Sequence, residues 1–385
     1  MAVYLSLTVA VVLLGMLIHN QEYVQYHTEP VSRRIPMPEG ATCRSAGRLR
    51  GGLSRQQAFH IGVAVMIFIL LTAVSACRIA VGNDYWVYRF QFNLIMQQRT
   101  VSYEMGFNAV VWIMQTLFGY DNYLPVFAVF SILTCFFFVK AMYDQGRWFA
   151  GTVFLLMTGG YYFSSLNSVR YYLVLAIAMY SMKYVLSGRY AMFILWIVIA
   201  SLFHKSVLLV IPVYLVAIFL SKIRWKKWYV AVIVLLAAAA VLGEGLWRKI
   251  IFFFYPFYEG SAFDVRNLSW ANIAKCVGTL LLCAICYKQV RESKRIRFYF
   301  FLNVGGLLLY TCCSFIPEIS RVGYYFIVSQ IFLLPDLLLG MKKGNLKRLC
   351  ILGVGIAFLL YFALFLHQAY DVNIRLLPYL NWLFN

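Results

Sequence analysis

Apolar residues in this chain come in long, nearly unbroken blocks, not in the i, i+3, i+4 stripes of a surface helix or the alternation of a half-buried strand. An α-helix needs roughly 20 apolar residues to cross the hydrocarbon core of a bilayer. Twelve blocks approach that length, at residues 2–19, 58–80, 122–140, 148–166, 169–187, 190–204, 206–221, 228–246, 271–288, 298–315, 323–340 and 349–367. The pattern predicts an all-α, polytopic membrane protein of about 12 spans, forming one transmembrane domain over residues 1–385. The first block has no basic residue before it and no small-x-small cleavage site, so it reads as a true first span and not as a removable signal.

Composition agrees with the pattern. The 385 residues are 63% hydrophobic and 12% charged, against about 25% charged in soluble domains, which excludes disorder. Eight of the nine cysteines fall in or beside apolar blocks, where a thiol behaves as a small hydrophobe, so no disulfide scaffold is implied. Cys283 and Cys286 form a C-x-x-C without a second pair or a nearby histidine, too little for a zinc or redox site.

The net charge of +20 would suggest nucleic acid in a soluble protein. Here the cations cluster between apolar blocks, and Lys and Arg are retained on the cytoplasmic side. The basic loop at 20–57 (Arg33, Arg34, Arg44, Arg48, Arg50, Arg55) is therefore inside, with the clusters beginning at Lys222, Lys288 and Lys342. Both termini are then outside. The alternation requires that the stretch 104–118, within an outer segment at 81–121, be a re-entrant half-span or a helix in the outer interface. This topology places 23 basic and six acidic residues inside and 11 basic and eight acidic outside, so +17 of the charge is cytoplasmic and no nucleic-acid partner is implied.

Charge at membrane depth is costly unless it faces a polar cavity, which directs attention to four outer clusters. The first runs from Arg78 through the reversal Gly82-Asn83-Asp84 and Tyr85 to Tyr88. In the second, Asn167 or Ser168 is placed to cap a helix that carries Arg170 in its first turn, followed by Tyr171; free N–H groups there already favour an anion. The third is His204-Lys205, a turn between two short spans and so expected to be recessed. The fourth, Glu318, Arg321, Tyr324 and Tyr325, repeats the second, and two such helix starts can together grip a pyrophosphate. An aromatic outer loop at 244–270 is expected to lie in the interface as an amphipathic lid. A P-loop, a G-x-S-x-G elbow and an H-E-x-x-H pair are all missing from the sequence.

The runs GNDYWVYRF, YEMGFNAVVWIMQTLFG, FSSLNSVRYYLVLAIAMYSMKYVLSGRY, IASLFHKSVLLVIPVYL and SRVGYYFIVSQIFLLP, closing with PYLNWL, resemble the EpsG family of bacterial exopolysaccharide proteins, itself similar to Wzy-type O-antigen and capsule polymerases. The likeness covers residues from about 58 onward. Tyr171 stands where the family usually has Gln, and the 20–57 loop is longer than its norm.

The resemblance implies a glycosyltransferase-type polymerase of the bacterial inner (plasma) membrane. It would join undecaprenyl-pyrophosphate-linked oligosaccharide repeats on the outer leaflet and release undecaprenyl pyrophosphate. Such a protein works among membrane lipids, beside a flippase and a chain-length regulator of the same pathway. Cations at membrane depth suit the leaving group: Arg170 and Arg321 first, with Arg78 and Lys205. The general base for the acceptor hydroxyl is His204, Asp84 or Glu104. Tyr85, Tyr171, Tyr324, Tyr325 and Glu318 are candidates for substrate contact. With no D-x-D pair, the reaction is expected to need neither metal nor cofactor. The alternatives are a lipid-linked oligosaccharide flippase, for which the expected internal repeat is missing, and a membrane acyltransferase using His204.

Overall fold

The computed structural model describes residues 1–19, 54–97, 103–223, 235, 237–239, 241–254, 256–261, 264–266, 268–372 and 374–383. Most of the basic 20–57 loop, the cations Arg224, Lys226 and Lys227 and the first half of the 228–246 block lie outside these residues.

In chain order the helices are α1 (Ala2–Gly15), α2 (Arg55–Ala76), α3 (Asp84–Met96), α4 (Met105–Phe118), α5 (Leu124–Gln145), α6 (Phe149–Thr158), α7 (Tyr161–Ser164), α8 (Val169–Leu186), α9 (Tyr190–Ser201), α10 (Val210–Lys222), α11 (Glu244–Phe254), α12 (Trp270–Ile285), α13 (Tyr287–Glu292), α14 (Lys294–Cys312), α15 (Ile319–Ile327), α16 (Gln330–Gly340) and α17 (Asn345–Gln368). Two short strands, β1 (Arg78–Ile79) and β2 (Leu380–Asn381), pair antiparallel. The described cysteines are all free.

Among the described residues, five helical stretches are long and apolar enough to cross a membrane: Arg55–Ala76, Leu124–Gln145, Lys205–Lys222, Ile319–Gly340 and Asn345–Gln368. Five shorter apolar helices, among them α1, α4 and α6, accompany them. Helix α17 makes the environment plain. Its most apolar window has a mean hydropathy of 2.7, yet only 11% of that window is buried, and Leu349, Leu352, Ile356 and Leu364 are all largely exposed. Only lipid accommodates such a surface.

The structure departs from the sequence pattern in two places. The block 148–166 is not one span: α6 stops at Thr158 and Gly160 adopts φ +79° before α7, a conformation L-residues avoid. The outer segment 81–121 holds two helices, α3 as well as α4. Helix α4 has 14 residues, about 21 Å at 1.5 Å per residue, short of a full crossing.

The chain packs as two compact units, residues 1–208 with 351–385, and residues 209–350. In the first, α8 is the central element. Every residue from Val169 to Leu186 is buried except Arg170, the signature of a helix surrounded by protein on all sides. It packs against α5 and α9, while α2 packs on α5 and α1 packs on α2 and α6. Near the far end of α8, Lys183 Nζ lies 2.6 Å from Asp144 Oδ2, and Lys140 sits 2.6 Å from the other Asp144 oxygen. The second unit is built on α14, flanked by α10, α12, α15 and α16. Polar side chains tie its helices together: Asn303 Nδ2 donates to the Cys276 carbonyl at 3.0 Å, and Gln330 Nε2 donates to Asn303 Oδ1 at 2.6 Å. Arg295 and Asp336 form a buried pair at 2.7 Å.

A buried pair costs much more to break than to replace by apolar side chains. Asp336→Ala, which strands Arg295, is expected to destabilise the protein by about 3–5 kcal/mol, and the double change Arg295→Met with Asp336→Leu by much less. Thermal unfolding of the purified protein in detergent checks both.

Candidate functional site

The polar cluster at the start of α8 is assembled from four separate stretches of the first unit. Its centre is Arg170, second residue of α8. The guanidinium Nη1 donates to Glu104 Oε2 at 2.5 Å, with both side chains about seven-eighths buried. Its carbon lies 3.6 Å from the centre of the Tyr103 ring and 5.2 Å from that of Phe107. Glu104 immediately precedes α4, and its second oxygen accepts the Lys205 backbone N–H at 3.0 Å. One carboxylate thus ties the start of α8 to the turn after α9.

That tie depends on a close backbone approach. Gly106 N–H donates to the Leu202 carbonyl at 2.8 Å, and a Cβ at Gly106 would stand 2.8 Å from the same oxygen. Within the turn, His204 Nδ1 accepts from the Ser206 N–H at 3.3 Å and lies 2.9 Å from Ser206 Oγ. An Nδ1 acceptor places the ring proton on Nε2, so the imidazole presents a donor there. The His204 ring also meets Tyr171 edge-on, with centroids 5.9 Å apart.

Asp84 enters from the start of α3. Ser168 Oγ donates to Asp84 Oδ2 at 2.6 Å, and Asn167 Oδ1 accepts the Asp84 backbone N–H at 2.8 Å. The two residues expected to cap α8 thus give that helix no side-chain cap; Asn167 instead serves the first N–H of α3. Asp84 and Arg170 both act electrostatically on Tyr88 and Tyr103. Burial raises the Tyr103 phenol above its ordinary value, which keeps it protonated and a hydrogen-bond donor at neutral pH.

The structure therefore brings Asp84, Glu104, Arg170, Tyr171, His204 and the Lys205 backbone into one neighbourhood. The Lys205 residue itself is exposed. Tyr85 is buried and stacks on Phe127 at 4.8 Å. Arg78 is fully buried beside the same ring. Arg321, Glu318, Tyr324 and Tyr325 belong to the second unit. There Arg321 pairs with Glu318 at 2.8 Å, Glu318 adopts φ +54°, and Tyr325 is buried with its carbonyl accepting from Tyr214 Oη at 2.8 Å. The second unit also holds a cavity of about 520 Å³ between α11 and the loop after it, lined by Arg248, Lys249, Phe252, Phe253, Glu259 and Asp264. Arg248 holds Asp264 through two contacts, 2.6 and 2.9 Å.

Tyr103 and Phe107 are site residues that the sequence patterns do not single out. Tyr103 alone carried a usable signal, standing directly before Glu104 in an outer segment. No group of three or more metal-ligating side chains occurs among the described residues.

A helical bundle with lipid-exposed apolar faces and a largely buried acid and arginine cluster defines an integral membrane protein with a polar site at one end of a central helix. The chain belongs to the EpsG family, whose model matches residues 63–381, and is thereby a membrane protein of polysaccharide biosynthesis. No curated protein and no solved structure matches it.

Because Arg170 and Glu104 form an ion pair, removing either takes away the other's charge partner. Arg170→Met and Glu104→Gln are each expected to lower the unfolding midpoint, and the double variant to lose less than the sum, with a coupling of about 1–3 kcal/mol. A double-mutant cycle by thermal unfolding checks this; additive losses would show that the pair carries no energy.

Proposed function

We propose that the protein is a polysaccharide polymerase of the bacterial inner membrane. It joins oligosaccharide repeat units carried on undecaprenyl pyrophosphate at the outer leaflet. Family membership supports the substrate class. The observation that carries the reading is the placement of two carboxylates, Asp84 and Glu104, around the arginine that opens α8.

In the reaction, the acceptor hydroxyl gives its proton to a carboxylate and its oxygen bonds to the anomeric carbon of the growing chain. The anomeric C–O bond to pyrophosphate breaks, and undecaprenyl pyrophosphate leaves with the electron pair. Asp84 suits the base: one of its oxygens accepts from Ser168, and its other oxygen has no hydrogen-bond partner among the described residues. Both oxygens of Glu104 are already engaged, so Glu104 positions Arg170. The Arg170 guanidinium offsets the charge that develops on the leaving pyrophosphate, the kind of stabilisation worth roughly 10²–10³ in rate. His204 stands in the same cluster, its ring edge-on to Tyr171.

Cells carrying Arg170→Ala, with the variant present in the membrane at normal level, are expected to make single repeat units in place of a ladder of long chains on a gel. A wild-type ladder would remove Arg170 from the mechanism. Repeat units stranded on the cytoplasmic leaflet in cells lacking the protein would identify it as a flippase instead.

A further inference from the structure

Three arginine or lysine side chains among the described residues are buried: Arg78, Lys183 and Arg295. Lys183 is paired with Asp144 and Arg295 with Asp336. Arg78 has no acidic partner among the described residues, although at 1% exposure it is the most buried of the three. Its Nη1 donates to the Ser75 carbonyl and, at 3.1 Å, to Ser131 Oγ, and its guanidinium carbon lies 4.9 Å from the Phe127 ring centre. The groups within its electrostatic reach are Tyr4, Tyr85, Tyr162, Tyr379 and Cys135, all neutral at pH 7 at their ordinary values.

Nε and Nη2 of Arg78 are buried without a hydrogen-bond partner among the described residues. These two nitrogens form one edge of the guanidinium, the edge whose parallel N–H groups grip two oxygens of a phosphate or carboxylate. A buried charge left unpaired is expensive, and here the unpaired atoms are the pair suited to an oxyanion.

The C-terminal segment lies across this stretch of chain. Residues Leu380 and Asn381 pair with Ile79 and Arg78. Tyr379 Oη donates to the Val74 carbonyl at 2.8 Å, Trp382 N–H to Cys77 at 2.9 Å, and Gly82 N–H to Arg375 at 2.7 Å. Leu376 and Leu377 are buried and the Leu376 carbonyl accepts from Tyr4 Oη at 2.8 Å, which anchors the segment. Beyond that anchor residues 379–382 are held by two ladder residues and single hydrogen bonds, so lifting 379–382 leaves the buried leucines in place.

We propose that Arg78 is a phosphoryl-binding site, separate from Arg170, that admits its ligand when residues 379–382 lift from residues 74–79. The ligand is a phosphate or pyrophosphate group, free or borne on a lipid. If the proposed polymerase reading holds, two lipid pyrophosphates meet in one reaction, and Arg78 gives the second a place. The site itself stands without that reading.

The test uses full-length protein in nanodiscs, with inorganic pyrophosphate in one arm and a polyprenyl pyrophosphate in the bilayer in the other. Hydrogen–deuterium exchange of residues 379–382 is expected to change on adding at least one probe, in the wild type and in Arg170→Ala alike. In Arg78→Gln the apparent affinity, read from the thermal shift, is expected to fall at least about tenfold, the loss of a charged hydrogen-bonded pair. Arg78→Lys is expected to fall between the two. A response to the lipid probe alone assigns the site to a headgroup, and a response to both assigns it to the phosphoryl group itself. Unchanged exchange of 379–382 in the wild type with both probes overturns the proposal, whether or not Arg78→Gln folds. So does wild-type affinity in Arg78→Gln. Loss of chain growth in Arg170→Ala bears only on the polymerase reading, because binding at Arg78 is scored without turnover.

Discussion

Everything described for the first unit follows from the burial of α8. A helix with protein on every side has no lipid or water in which to discharge a polar side chain, so each charge it carries must be met from a neighbouring element. It carries two, Arg170 near one end and Lys183 near the other. Asp144 meets Lys183 from the last turn of α5, and Glu104 meets Arg170 from the residue before α4. The second of these pairs shapes the site. Glu104 reaches Arg170 and the Lys205 backbone together, and the bare backbone at Gly106 lets α4 start against Leu202. The constraint on one guanidinium thus brings the start of α4 and the His204 turn to the same place.

The fold was legible in sequence where apolar length decides it. The ends of helices α2, α5 and α17 each lie within five residues of the blocks read at 58–80, 122–140 and 349–367, because a continuous apolar run in lipid has no competing structure. The break at Gly160 was hidden, since the Gly159-Gly160 pair sits inside a run whose apolar character never drops. Helix α3 was hidden for the opposite reason: its sequence, DYWVYRFQFNLIM, mixes aromatic and charged residues in an outer segment expected to be loop.

Site residues divide in the same way. Asp84, Glu104, Arg170 and His204 stand out as ionisable groups beside apolar blocks, and the structure gathers all four. Their pairing could not be read, because Glu104 and Arg170 are 66 positions apart and meet only through tertiary packing. Asn167 and Ser168 carried a misleading signal. Their side chains have the chemistry of a local cap, but Asp84 lies within reach and takes both, a case of tertiary contact overriding a local preference.

The division of labour between the two carboxylates is the central claim: Asp84 accepts the proton, and Glu104 holds the arginine. Turnover of purified protein with defined lipid-linked repeat units, comparing Asp84→Asn with Glu104→Asp, tests it most directly. The account predicts that Asp84→Asn lowers kcat by roughly 10²–10⁴, the range for losing a general base, with KM little changed. It predicts that Glu104→Asp raises KM and retains much of kcat. Wild-type kcat in Asp84→Asn would contradict it.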